Sequence, residues 1–100
     1  MAKLYYGSGN CTIEGNVIAI QLRFSGNIKI KDKTPDGVIL MSRENGIIIA
    51  PIPLKGNKVY LNNLFDYIGE FKIISVSALG INWEKITTTI HRVMDYTELL

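Results

Sequence analysis

The clearest pattern in the chain runs from Val17 to Phe24. Ile18, Ile20, Leu22 and Phe24 alternate with Val17, Ala19, Gln21 and Arg23. Alternation with period two predicts a strand with one face in a core. Its other face begins apolar and ends polar, so one end is expected to be covered on both sides. Ser25-Gly26-Asn27 reads as a short hairpin loop, and residues 28–32 read as the alternating return strand. Pro35 and Gly37 mark a loop, and residues 38–42 follow as a buried strand. Arg43-Glu44-Asn45-Gly46 is the strongest hairpin signal, because Asn45 and Gly46 both tolerate positive φ. Residues 47–52 are apolar at every position, which predicts cover on both faces or a meeting with another subunit.

The rest of the chain is read the same way. Residues 3–6 and 11–14 are short strands around the Gly7-Ser8-Gly9-Asn10 loop, with Gly15-Asn16 a further turn. Pro51 and Pro53 cannot donate ladder hydrogen bonds, so the strand they close ends there or lies at an edge. Lys55-Gly56-Asn57 is a turn and residues 58–61 a short strand. Residues 62–68 form a connection with room for one helical turn, followed by a turn at Gly69. Residues 70–79 form a long strand whose alternation slips by one: Phe71 and Ile73 keep one phase, Val76 and Ala78 the other. A bulge near Ile73-Ile74-Ser75 would restore a single inward face. Residues 80–84 are a loop, residues 85–94 a last strand rich in β-branched side chains, and residues 95–100 a tail.

Turn signals every 8–12 residues or so, with no sustained 3.6 period, predict an all-β fold. The expected form is a single domain over residues 1–100, an antiparallel β-sandwich of about seven or eight strands. Composition adds one point. Hydrophobic residues make up 47% of the chain and sixteen residues are isoleucine. That is more apolar β-forming material than one small two-layer core needs, so burial against other chains is expected.

Charge and cysteine usage exclude more than they assign. The net charge is +2, with signs mixed along the chain, so no polyanion-binding tail is present. Cys11 is the only cysteine, which excludes an internal disulfide and a cysteine-based zinc cluster. No secretory signal pattern opens the sequence, since Gly7-Ser8-Gly9-Asn10 arrives before any apolar run. No apolar stretch is long enough for a membrane-spanning helix. No membrane partner is expected.

Candidate chemistry is sparse. His91 is the sole histidine and lies in a Thr-rich run; Asp95 on the same strand face would be roughly 13 Å away. Catalysis needs a positioned partner, so His91 is read as structural. No spacing of His, Cys, Asp or Glu resembles a metal site, and no cofactor or small-molecule substrate is expected. Gly7-Ser8-Gly9 lacks the spacing of a nucleophile elbow or a phosphate loop. Cys11 has no basic neighbour in sequence and reads as a small buried hydrophobe. Arg23, Lys29, Lys31 and Lys33 form a basic stripe that could meet phosphates, as in a nucleic-acid-binding β-barrel. The stripe carries no aromatic for base stacking, so the preferred reading is a solvated edge guarded by lysines. Trp83 in its loop is a candidate anchor for a protein partner, with a fold-back over the core as the other reading. Ile48 and Ile52 share the face of residues 47–52 opposite Ile47 and Ile49. With Trp83, and with Tyr96 in the tail, they are the interface candidates.

Leu64, Tyr67, Gly69 and the aromatic-x-aliphatic start at Phe71 resemble the entry into a central strand of immunoglobulin-like sandwiches. There is no cysteine pair and no core tryptophan in the expected place, so a jelly-roll-like form stays open. More broadly, the chain resembles the small all-β virion proteins of tailed bacteriophages. The likeness is carried by the Leu4-Tyr5-Tyr6-Gly7 start, the many short β runs, the Gly/Asn turns, the stretch from Gly69 to Ala78 and the ending His91-Arg92-Val93-Met94-Asp95-Tyr96. The resemblance implies a non-enzymatic part in a multi-copy virion, assembled in the host cytoplasm, that decorates the capsid or sits in the head-tail neck or tail. Its partners would be copies of itself and other virion proteins. A small enzyme or ligand-binding sandwich with a pocket around His91 is the remaining class.

Overall fold

The computed structural model describes residues 1–52 and 58–93. The described chain is all-β, with eight strands: β1 (Ala2–Gly7), β2 (Asn10–Glu14), β3 (Ala19–Asp32), β4 (Val38–Arg43), β5 (Gly46–Pro51), β6 (Asn63–Leu79), β7 (Lys85–Ile86) and β8 (Thr88–Arg92). They form one mixed sheet in the order β4-β5-β3-β6-β2-β1-β8, with β7 on β6. Pairing is antiparallel except between β1 and β8, which run parallel. One hydrophobic cluster takes residues from every strand, and Leu4, Leu22, Ile47, Ile49, Leu64 and Phe65 in it are fully buried. With no helix to cover that face among the described residues, the sheet covers itself by curling about one core.

The frame is a ribbon of the two longest strands, β3 and β6, paired from Ala19↔Leu79 to Asp32↔Phe65. This corrects two sequence expectations. Ser25-Gly26-Asn27 is not a hairpin loop, and residues 62–68 are not a connection; both lie inside paired strands. Gly69 is likewise mid-strand. The glycines were read as turn residues, but here they serve close approach. Gly26 faces Phe71 and has φ 112°; Gly69 faces Ile28 and has φ 111°. A Cβ on Gly26 would lie 2.4 Å from the Glu70 carbonyl oxygen, and one on Gly69 would lie 2.4 Å from that of Asn27. Neither backbone conformation nor space admits an L side chain.

Phe71, opposite Gly26, is the centre of an aromatic cluster. Its ring meets those of Tyr67 at 4.7 Å, Tyr6 at 5.2 Å and Phe24 at 5.4 Å between centroids, all edge-on. Tyr6 belongs to β1, which is not a sheet neighbour of β6, so this cluster ties one part of the curled sheet to another. The slipped alternation of residues 70–79 has the expected cause. Phe24 pairs with Ile73 and Arg23 with Ser75, so Ile74 is the extra residue of a bulge. Phe71, Ile73 and Ala78 are buried, while Ile74 is exposed.

The hairpin at Arg43-Glu44-Asn45-Gly46 joins β4 and β5 as expected, with Arg43 opposite Gly46. Only Asn45 has positive φ, at 55°. Gly46 does not, and a Cβ there would meet nothing closer than 3.8 Å. The conformational demand therefore falls on Asn45, as at the third position of a type II turn. Residues 38–42 are not buried throughout: Val38 is, but Ile39 and Met41 face out. The strand ending at Pro51 is not an edge. β5 lies between β4 and β3, and among the described residues β4 is the edge. Residues 58–61 are irregular rather than a strand, although Leu61 is buried and donates its N–H to the Val17 carbonyl. The last strand is broken at Thr87: β7 pairs with β6, and β8 moves to β1.

A Gly26→Ala substitution is expected to destabilise the fold by about 2 kcal/mol or more, through strain and overpacking. Gly46→Ala, with room for its methyl, is expected to stay within about 1 kcal/mol of the parent. Urea unfolding midpoints of the two variants check the contrast.

Candidate functional site

The hairpin sets the phase of the residues across β4, β5, β3 and β6. Arg43↔Gly46 pairing places Met41 opposite Ile48 and Ile39 opposite Ala50. In turn Ile48 is opposite Gln21, and Gln21 opposite Ser77. Ile47 and Ile49 take the other phase and are fully buried with Leu22 and Ile20. The two faces of residues 47–52 thus divide as the alternation required: Ile47 and Ile49 inward, Ile48 outward and 42% exposed. Ile52 follows β5 in the outward phase, is half-buried, and donates its N–H to the Gly37 carbonyl at 2.8 Å.

On this outer face the apolar residues adjoin. Ile39 is 45% exposed and Met41 52%. Beside them lie two shallow hollows. One, of about 390 Å³, is lined by Ala19, Ile48, Ala50, Leu79 and Trp83 among others. The second, of about 600 Å³, runs from Ile48 and Met41 to Arg23, Arg43 and Glu44 at the hairpin end. Both are bordered by Gln21 and Ile48, so they form one trough with an apolar floor and two arginines at one end. A surface of this kind, apolar at its centre and rimmed by charge, is what protein contacts bury.

Trp83 stands at the other end of the trough and is 52% exposed. It is neither folded fully over the core nor free. Lys58 Nζ lies 5.1 Å from its ring centroid and also donates to the Ile81 carbonyl at 2.6 Å, so the ammonium holds one face of the indole. The Trp83 backbone has φ 61°, uncommon for a bulky residue, and its N–H donates to the Gly80 carbonyl at 2.9 Å. Tyr96 lies outside the described residues. Ile39, Met41, Ala50 and Leu79 were missed from the sequence; pairing β4 onto β5 across the two-residue loop would have placed Met41 beside Ile48.

The basic stripe does not form one site. Arg23 belongs to the trough with Arg43, while Lys29, Lys31 and Lys33 lie further along, about 20 Å from Arg23 at the nearest by strand rise. Acidic groups sit among the lysines: Asp66 is opposite Lys31 and 3.8 Å from Lys33 Nζ. Beyond Phe24, β3 has no strand on its β5 side among the described residues, so these lysines stand along an open edge. Ile68, opposite Lys29, is the large apolar residue beside them, and no aromatic ring is exposed there for stacking.

His91 packs its ring on Tyr5 at 5.3 Å between centroids, and its Nε2 lies 2.7 Å from Thr89 Oγ1. Tyr5 is opposite His91 in the β1–β8 pairing, and Thr89, two residues earlier on β8, shares the same face. Asp95 is outside the described residues. A third hollow, of about 310 Å³, lies between the Gly7-Ser8-Gly9 turn, Tyr67, Glu70 and Arg92. Burial pushes the Tyr67 phenol above its ordinary pKa, and a backbone hydrogen bond at Gly9 partly offsets this. Cys11 is fully buried, and desolvation pushes its thiol up to about 12.

Compared with family models, curated proteins and solved structures, the chain matches none.

The raised Cys11 pKa has a measurable sign. Above pH 9 the unfolded thiol ionises while the folded one does not, so stability falls as pH rises from about 9 toward 12. Cys11→Ala is expected to lose less stability over that range than the parent. The folded parent is expected to resist thiol alkylation at pH 8 until denaturant is added.

Proposed function

We propose that this chain is a non-enzymatic structural subunit of a multi-copy viral particle, of the capsid-decorating or head-tail class, acting through protein contacts. One observation carries the reading: the outer face of β4, β5, β3 and β6 presents Ile39, Met41, Ile48, Ala50, Leu79 and Trp83 together. Fully burying one isoleucine contributes roughly 1.5–3 kcal/mol, so the two here, Ile39 at 45% and Ile48 at 42% exposed, forgo part of that stabilisation. A surface of that composition is favoured when another protein covers it. The strained φ of Trp83 supports the same use, since strain is held where a side chain must be presented. The virion setting comes from the resemblance in strand and turn style described above. Its partners are copies of this chain and other proteins of the particle.

The nucleic-acid reading has less support. The lysine row is broken by Asp66, separated from Arg23, and lacks exposed aromatics. Binding to single-stranded DNA is expected to be unmeasurable at physiological salt. Any binding seen at low salt should vanish when Lys29, Lys31 and Lys33 are replaced by Glu. A gel shift of the parent at physiological salt would promote the nucleic-acid reading.

The assembly reading is tested by paired substitutions. Ile49→Lys buries a charge in the core and is expected to unfold the chain. Ile48→Lys is expected to leave its circular dichroism and melting temperature near those of the parent. Co-expressed with the other structural proteins of the particle, it should be depleted from purified particles. Full recovery of folded Ile48→Lys in particles would count against this face as the contact.

A further inference from the structure

We infer that a second copy of this chain pairs antiparallel along the β4 edge, joining two sheets into one. The inference rests on the assembly reading and names its partner.

The hydrogen-bond phase of β4 comes first. Ile52 donates to the Gly37 carbonyl, which marks that pair as hydrogen-bonded. In an antiparallel ladder such pairs alternate. Ile39/Ala50, Met41/Ile48 and Arg43/Gly46 are therefore bonded, and Val38/Pro51, Leu40/Ile49 and Ser42/Ile47 are not. Pro51, with no N–H, sits at a position where none is needed. The N–H and C=O groups of Leu40 and Ser42 consequently point away from β5, toward the open edge. The N–H of Val38 is already held by the Pro35 carbonyl at 3.3 Å, which leaves its carbonyl for the edge.

Open edges are normally guarded by lysine, proline or a bulge. Elsewhere this protein follows that rule. The open stretch of β3 carries Lys29 and Lys31, and the β8 edge carries His91 and Arg92. The β4 edge carries its one charge, Arg43, only at the hairpin end. Val38-Ile39-Leu40-Met41-Ser42 has no charge and no proline, and its pairing to β5 has no register shift. An unguarded aliphatic edge beside an exposed apolar face fits a covered edge, and identical strands can cover each other about a two-fold axis.

Register follows from the free groups. With Leu40 opposite Leu40 of the second copy, the outward-pointing backbone groups of both strands meet. Ile39 then faces Met41 of the second copy, and Met41 faces its Ile39. The apolar troughs of the two copies become continuous across the axis. At each end Arg43 comes level with Gly37 of the second copy and Glu44 with its Asp36, so the single cation Arg43 stands next to that carboxylate pair, twice. Strand addition supplies the hydrogen bonds, and the merged outer face supplies apolar burial.

Sedimentation equilibrium on the isolated full chain tests this. The parent is expected to dimerise with rising concentration. Ser42→Pro removes an outward N–H and is expected to weaken association by about tenfold or more, the scale of one or two lost backbone hydrogen bonds. Ile39→Lys tests the same edge without altering the backbone and should act alike, with unchanged circular dichroism. The double variant Ile39→Cys/Met41→Cys should give a covalent dimer on oxidation, because facing non-hydrogen-bonded residues lie within disulfide reach. Buried Cys11 stays silent in that test. A parent that stays monomeric at all concentrations, or one whose dimer survives both Ser42→Pro and Ile39→Lys, overturns the inference. A covalent dimer from Met41→Cys alone overturns the register. Each of these outcomes leaves the particle-recovery result for Ile48→Lys unaffected, so failure of the edge and failure of the assembly reading are separately visible.

Discussion

Phe71 lies across from Gly26, a glycine of the long β3–β6 ribbon that cannot be replaced. The φ of Gly26 and the proximity of the Glu70 carbonyl leave no room for a side chain on β3 at that point. The Glu70 carbonyl oxygen and the Phe71 Cα and Cβ occupy that space, and the Phe71 ring gathers Tyr67, Tyr6 and Phe24 around it. Edge-on aromatic pairs of this kind contribute roughly 0.5–1.5 kcal/mol each beyond the burial of their surface. The contact also sets topology. It holds β1 against the middle of β6 although β2 separates them in the sheet. A flat sheet could not make it, so the curl about a single core depends on it.

The bulge at Ile74 is the second constraint, and it links the ribbon to the proposed contact face. Without the extra residue, every side chain of β6 beyond Ser75 would change face. Val76 and Ala78 would point out, and Ser75 and Ser77 would enter the core. With it, Ala78 joins the core and Leu79 and Ser77 join the outer face next to Gln21 and Ile48. The same local irregularity thus keeps the core apolar and completes the floor of the trough. Proposed function and fold share this one residue.

The distribution of guards along the open edges fits the proposal that the outer face of β4, β5, β3 and β6 is an assembly surface. Lysines stand on the free stretch of β3, and histidine and arginine on β8. Beside the apolar trough the edge strand β4 has none between Val38 and Ser42. A protein that only needed to stay soluble would gain from a charge at Ile39 or Met41. That both are apolar and exposed is the physical reason for proposing that partners dock there.

Much was legible from the sequence because it depends on neighbours along the chain. Turn signals, apolar runs and period-two alternation located β1, β2, β4, β5, the two ends of β3 and the last half of β6. The phase slip between Ile73 and Val76 located the bulge, and Asn45-Gly46 located the β4–β5 hairpin. The split of Ile47 and Ile49 from Ile48 followed from pleating alone. What tertiary structure decided depends on distant partners. A glycine in a polar stretch reads as a turn, yet Gly26 and Gly69 are strand residues because each faces a bulky residue of the opposite strand more than forty positions away in sequence. The same pairing carries β6 through Asn63 to Ile68, where local pattern suggested a connection. Strand order is equally non-local. Pro51 closes an interior strand, and the open edge falls to β4, because β3 rather than solvent covers the far side of β5. The outer apolar face is therefore written in the alternation of each strand, but only the order of the strands makes it one surface.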